Sequence, residues 1–181
     1  MLTLWQSLRM FLWMTLLTGI IYPLIVTLIA QVTMPQNANG SLVIQNDKII
    51  GSSLIAQNFE SNRYFWPRPS AVNHNPLPSG GSNLSPTSLK LKQQVESRKE
   101  RLNGSSPIPI PSELLFASGS GLDPHISMET AYFQIERILK ERANYTVETL
   151  KTLIDDNIEG YFGIYYVNVL HLNLLLDRNS P

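Results

Sequence analysis

Within ten residues, Ser118-Gly119-Ser120-Gly121-Leu122-Asp123-Pro124-His125-Ile126-Ser127 gathers side chains from which several chemistries are built. Ser118 or Ser120 with His125 and Asp123 would supply the nucleophile, base and orienter of acyl transfer. Asp123 and His125 are also metal-ligand types, though no metal site is assigned from them. Gly119 and Gly121, ahead of a helix, can present backbone amides to an anion or carbonyls to a cation. The plainer alternative is architectural: the glycines permit a tight turn, Asp-Pro starts the next one, and His125 packs. Acyl transfer is the least favoured, because four reactive residues within eight positions would need a distorted turn to align. A Walker phosphate loop is excluded, since no Gly-Lys-Ser/Thr follows.

A second serine and glycine cluster, Ser79-Gly80-Gly81-Ser82-Asn83, lies in residues 67 to 88, which hold five of the twelve prolines. This segment is expected to have no secondary structure, and an ordered loop of that length is more often functional than incidental. The chain has no cysteine, which removes disulfides, thiolate nucleophiles and Cys-ligated metals. Fourteen basic residues balance fourteen acidic ones, and only Arg9 lies before residue 47. There is no basic field, so neither nucleic acid nor anionic lipid is an expected partner.

The elements that must hold these clusters begin with residues 10 to 32, an uncharged run. At about 1.5 Å per residue such a helix reaches roughly 35 Å, enough to cross the roughly 30 Å hydrocarbon core of a bilayer. A cleaved signal would have a shorter apolar run and a small-x-small site, and Ala30-Gln31-Val32 matches one poorly. Arg9 before the helix favours a cytoplasmic N-terminus. The expected layout is therefore residues 1–9 inside, one membrane helix over 10–32 with membrane lipid as its partner, and an extracytoplasmic domain over 33–181. Within the helix, Thr15, Gly19 and Pro23 fall on one side as a small-residue seam for a partner helix.

Residues 41 to 56 alternate as a hairpin turning at Asn46-Asp47. Phe59, Tyr64, Phe65 and Trp66 read as a core edge with arginine stacked on the rings. Ser85-Pro86 looks like the start of a helix running to about Asn103 and stopped by Gly104, with Leu91, Val95 and Leu102 inward and Arg98 outward. Ser127 caps a helix that buries Ala131, Ile135, Ile138 and Leu139 and turns Glu136, Arg137, Lys140 and Glu141 to water. Thr146 caps another, with Val147, Leu150, Leu153 and Ile154 inward. Gly160 and Gly163 interrupt the chain. Ile164 onward starts as a strand and passes into a helix capped by Asn168. The sum is an α+β domain, a short mixed sheet with three or four helices, on a single anchor.

In order, these pieces resemble the KdpC subunits of potassium-transporting P-type ATPases over essentially the whole chain. The resemblance is carried by the anchor, Gly51-Ser52 with Gln57 and Phe59, Tyr64-Phe65 with Arg68-Pro69-Ser70-Ala71, Ser79 to Leu84, Ser118 to Ser127, and Val167 to Leu170 with Leu172-Asn173 and Leu176-Asp177. Ala56 departs from a usual glycine, and Tyr165-Tyr166 from a more polar pair. The resemblance implies a non-catalytic subunit of the bacterial inner membrane. Its partners would be a channel-like potassium-translocating subunit, an ATP-hydrolysing P-type subunit and a small single-helix subunit. It would act as a catalytic chaperone that raises the hydrolysing subunit's affinity for ATP. Ser79 to Asn83 also resembles the signature loop of ABC transporters, the usual argument for a nucleotide role. An outer domain meets no cytoplasmic ATP, so any such effect is expected to travel through the complex. No cofactor is expected to be bound firmly; ATP and potassium are handled by the complex. The domain would sit over the potassium entrance, where serine hydroxyls and carbonyls suit a hard cation. The alternatives are a membrane-tethered hydrolase and a binding module for another inner-membrane complex.

Overall fold

The computed structural model describes residues 2–102 and 108–178, and the chain divides into two compact units, Met1–Ser52 and Ser53–Pro181. In the first, an uninterrupted apolar helix spans Thr3–Thr33, built from α1 (Leu2–Leu16), a π-helical turn (Leu17–Ile21) and α2 (Tyr22–Thr33). It is longer than the 23 residues read as the span, because nothing in residues 2 to 9 breaks a helix, and Arg9 lies inside it rather than before it. The π turn has a local cause. Pro23 lacks an N–H and its ring would strike the carbonyl of Gly19, so the backbone widens and Tyr22 N–H donates to Leu17 O. A Cβ on Gly19 would meet nothing within 4 Å, which leaves room for a close-packed neighbour.

After the short α3 (Pro35–Ala38), β1 (Leu42–Gln45) and β2 (Lys48–Ser52) form the expected hairpin. Asn46 and Asp47 take φ of 50° and 59°, the left-handed pair that a two-residue turn of this hand demands. The second strand ends at Ser52, short of the Ile55 that alternation suggested, and a bulge separates Val43 from Ile44.

The second unit is α+β. Residues 53 to 88 carry no helix or strand, and then α4 runs over Leu89–Leu102. The helix begins after Ser88, not at Ser85. Ser85 O instead accepts Ser88 N–H at 2.9 Å in a separate turn, and Lys92 N–H bonds Ser88 O at 3.1 Å. Its expected end at Asn103-Gly104 lies outside the described residues. A 3-10 turn (Ser112–Leu114) leads towards β3 (His125–Ser127), α5 (Met128–Phe133), α6 (Ile135–Glu141), α7 (Val147–Asp155), β4 (Glu159–Tyr161), β5 (Ile164–Asn168) and α8 (Val169–Arg178).

Three further expectations differ from the structure. The sheet is not mixed: β3, β5 and β4 lie in that order, all antiparallel. Gly160 belongs to β4, and only Gly163, with φ of 81°, makes the turn. The unit holds five helices, α4 to α8, among the described residues, because the helix capped by Ser127 is interrupted at Gln134.

That interruption has a purpose in the packing. Gln134 is fully buried, accepting Trp66 N–H at 2.7 Å and donating to Trp66 O at 3.1 Å. Asn173 in α8 does the same for Phe65, at 2.8 and 2.9 Å. Two side-chain amides thus stand in for neighbouring strands and satisfy a buried extended segment. Phe65 joins the main core of Ile126, Ile138, Leu150, Ile154, Val167 and Leu172, while Trp66 joins Leu102, Leu114 and Phe133. The arginines stacked on Trp66 are not its sequence neighbours but Arg101 and Arg137, 4.0 and 3.8 Å from the ring centroid on α4 and α6. Arg137, expected in water, is buried and donates to Asn62 O and Tyr64 O. Arg98 is half-buried on the inner face of α4, its Nη1 donating to Leu115 O at 2.6 Å. Both long side chains cover apolar surface with their stems and find carbonyls with their heads.

Candidate functional site

The two serine and glycine clusters, 35 or more residues apart in sequence, meet. Gly80 N–H donates to Ser120 O at 2.8 Å, and the approach is so close that side chains would obstruct it. A Cβ on Gly81 would lie 3.0 Å from Gly119 O. One on Gly121, whose φ is +71°, would lie 2.7 Å from Gly80 O and from a Val72 methyl. Gly121 is therefore required both for its left-handed backbone and for the space it leaves. Gly80 and Gly119 are different, since a Cβ on either meets nothing within 4 Å.

The rest of the second loop is tied down from several directions. Ser118 is buried, with its N–H on Pro69 O at 3.0 Å. Leu122 N–H donates to Ser120 Oγ at 3.1 Å, and Leu122 O accepts Ala56 N–H at 2.9 Å. Asp123 is held by Arg68 at 2.8 Å through one oxygen and by the His125 N–H at 3.0 Å through the other. The imidazole of His125 packs on Tyr166, ring centroids 4.6 Å apart, and its Nδ1 stands 3.8 Å from Asp123 Oδ1. Ser127 accepts Thr130 N–H at 3.2 Å and caps α5 as expected, and Glu113 reinforces the cap by accepting Ser127 N–H and Thr130 O–H, both at 2.9 Å. Of the first loop, Ser79 and Asn83 are exposed, Asn83 with φ of 50°, while Gly80, Gly81 and Ser82 are half-buried.

This geometry does not assemble a triad. Among the described residues no serine hydroxyl hydrogen-bonds His125, the Ser118 side chain is buried, and Asp123 serves Arg68. Sequence reasoning missed Arg68 and Ser70 as parts of the site. Ser70 Oγ accepts Val72 N–H at 3.1 Å and His74 N–H at 2.9 Å, shaping the turn whose Val72 packs on Gly121. The available signal was Pro67-Arg68-Pro69, where two fixed φ angles aim the intervening side chain.

The fold and site define a protein with, among the described residues, one apolar helix long enough to cross a membrane and an α+β unit whose Ser118, Asp123 and His125 are engaged in structure. Comparison with known proteins makes the class specific. The family model described as "KdpC: K+-transporting ATPase, c chain" matches residues 4–178. The "Potassium-transporting ATPase KdpC subunit" of Leptospira interrogans serogroup Icterohaemorrhagiae serovar copenhageni (strain Fiocruz L1-130) is 47% identical over 176 residues, covering 94% of this chain and 91% of that protein. The proteins of the same name from Dechloromonas aromatica (strain RCB) and Serratia proteamaculans (strain 568) are each 44% identical, covering 96% and 94% of this chain and 96% and 95% of their own lengths. The chain belongs to the KdpC family and is a subunit of a potassium-transporting ATPase.

Proposed function

We propose that this chain is a non-catalytic assembly and regulatory subunit of an ATP-driven potassium uptake pump. It is held by one membrane helix with its α+β unit on the outer side. Its partners are a channel-like potassium-translocating subunit, an ATP-hydrolysing P-type subunit and a small single-helix subunit. It raises the hydrolysing subunit's affinity for ATP indirectly, through the complex, and stands near the potassium entrance.

The observation that carries this reading is the loop interlock. The residues that could have done chemistry are spent on building a rigid double loop, and what that loop leaves open is backbone at Gly80 and Gly119, where another protein's surface can approach closely. A hydrolase would need a free nucleophile beside its base, and this loop offers none among the described residues. In cells lacking the chain, ATP-driven potassium uptake should be lost together with the assembled complex, and the purified chain should hydrolyse no ATP. Uptake of wild-type affinity without the chain would refute the assembly role. A reporter fused to the C-terminus and active in the cytosol would refute the outer placement.

A further inference from the structure

Beside the interlock, on the face formed by the 58–74 segment and α4, lies a cleft of about 450 Å³ that the pump reading does not use. Its wall carries Arg68, His74, Arg98 and Arg101 against a single acidic side chain, Glu60, whose carboxylate accepts Asn58 Nδ2–H at 2.9 Å. Of these, among the described residues, only Arg68 has a carboxylate partner, Asp123. Arg98 and Arg101 donate to carbonyls of Leu115 and Glu60, and among the described residues neither meets a carboxylate within 4.0 Å. Behind the Trp66 wall stands Arg137, also without a carboxylate, and burial with the nearby charge of Arg101 pushes it down to about 9.

Three guanidinium groups against Glu60 and the Asp123 partner of Arg68 leave an excess of positive charge in a half-enclosed space, and an anion relieves it. Arg68 Nε, on the side chain that lines the cleft, is buried with no hydrogen-bond partner among the described residues, and the His74 ring, set against the Arg68 backbone, lines the same wall. Buried groups of this kind are rare and call for a ligand or an explanation. Ser70 Oγ, on the same wall, accepts two backbone N–H groups, and neither bond uses its own hydrogen. Donors thus converge from the 68–74 turn on one side and from α4 on the other. A carboxylate offers two oxygens in one plane, whereas a tetrahedral oxyanion can meet donors from several directions.

We propose that the cleft between Arg68, His74, Arg98 and Arg101 binds a phosphate-class oxyanion. The cleft is larger than the bare ion, so the phosphoryl group comes either free or as the headgroup of a phospholipid. The test uses the full chain in dodecyl maltoside micelles, which carry no phosphate, titrated with inorganic phosphate against chloride at constant ionic strength, with melting temperature as the readout. A saturable rise is expected, because a ligand bound only by the folded state stabilises it by mass action. A second arm titrates phosphatidylglycerol into the same phosphate-free micelles. A rise there without one from inorganic phosphate assigns the headgroup, and the reverse assigns the free ion.

Arg101→Gln should weaken the response by roughly tenfold, the worth of one charge-assisted contact. Lys99→Gln removes the same charge from the exposed side of the same helix, where Lys99 pairs with Glu96 at 3.7 Å, and should leave it unchanged. If Arg101→Gln loses its fold, His74→Gln, which keeps the stack on Trp66, carries the same expectation. The proposal is overturned if neither arm saturates, or if Lys99→Gln weakens binding as much as the cleft variants do.

Discussion

Substituting the four loop glycines by alanine separates what the interlock needs from what it leaves open. At Gly121 the backbone has φ of +71°, and an L side chain there costs about 1–2 kcal/mol. The added methyl would stand 2.7 Å from Gly80 O and 2.7 Å from a Val72 methyl, and forced repacking costs about 1–3 kcal/mol more. Gly121→Ala should therefore destabilise the α+β unit by roughly 2–5 kcal/mol, a large part of a typical 5–15 kcal/mol total. For a unit of this size that lowers the melting temperature by roughly 8–20 °C. Gly81→Ala, 3.0 Å from Gly119 O, should cost about 1–2 kcal/mol. At Gly80 and Gly119 the methyl enters open space, so alanine should lie within about 0.5 kcal/mol of the parent or slightly above it, through the less flexible unfolded chain. The assay is thermal unfolding followed by circular dichroism, then copurification with the partner subunits. Fully folded Gly80→Ala and Gly119→Ala chains that fail to enter the complex would place the docking contact on these loops. The packing argument fails if Gly121→Ala melts within a degree or two of the parent, or if Gly80→Ala is as damaging as Gly121→Ala.

Asn173→Leu keeps the volume but strands the N–H and C=O of Phe65, so unfolding should shift by roughly 2–5 kcal/mol, and guanidinium titration checks it. Thr146→Ala removes one half of a capping box with Thr149 and should cost about 1 kcal/mol by the same titration. Burial lowers the His74 pKa from its ordinary value of 6.5, so its unfolded form takes up a proton more readily than its folded form. Its contribution to stability is present above pH 6.5 and is lost as pH falls below it; melting temperatures from pH 7.5 to 5 should decline less steeply in His74→Gln. At the other end, the hydrogen bond to Asp155, with burial, raises Tyr132 from 10.0 to about 12, so its contribution is complete below pH 10 and disappears by about pH 12. Tyr132→Phe should flatten that alkaline decline in melting temperature.

Local signals made much of the fold legible before any coordinates. The turn at Asn46-Asp47, the caps at Ser127 and Thr146 and the strand-to-helix change at Asn168 are each written in a few adjacent residues, and each forms as read, while the apolar N-terminal helix forms but begins earlier than its uncharged run. What escaped depends on partners far away in the chain. Gln134 looks like an ordinary helical residue until Trp66 is beside it, and Arg98 and Arg137 look like surface charges until Leu115, Asn62 and Tyr64 supply carbonyls. Strand β4 pairs only because Tyr165 and Tyr166 lie opposite Gly160 and Glu159, and a glycine in a three-residue strand carries no signal of its own. The site follows the same rule. Both serine and glycine clusters were visible as sequence, but their contact was not, because backbone-to-backbone approach leaves a trace only as glycine.

The interlock also changes what the motif residues mean. A loop that resembles a nucleotide signature and a loop that resembles a catalytic turn are each read most naturally alone, as surfaces facing a small ligand. Packed against one another they become each other's support: Gly81 and Gly121 are small so that Gly119 and Gly80 can approach, and Asp123 is acidic so that Arg68 is fixed between two prolines. Only Gly80 and Gly119 lack such an internal reason. If all four glycines served the fold, none would report on a partner. Because two are free of steric demand, their replacement tests function without touching stability, and that makes the loop pair a place where assembly and folding can be separated by experiment.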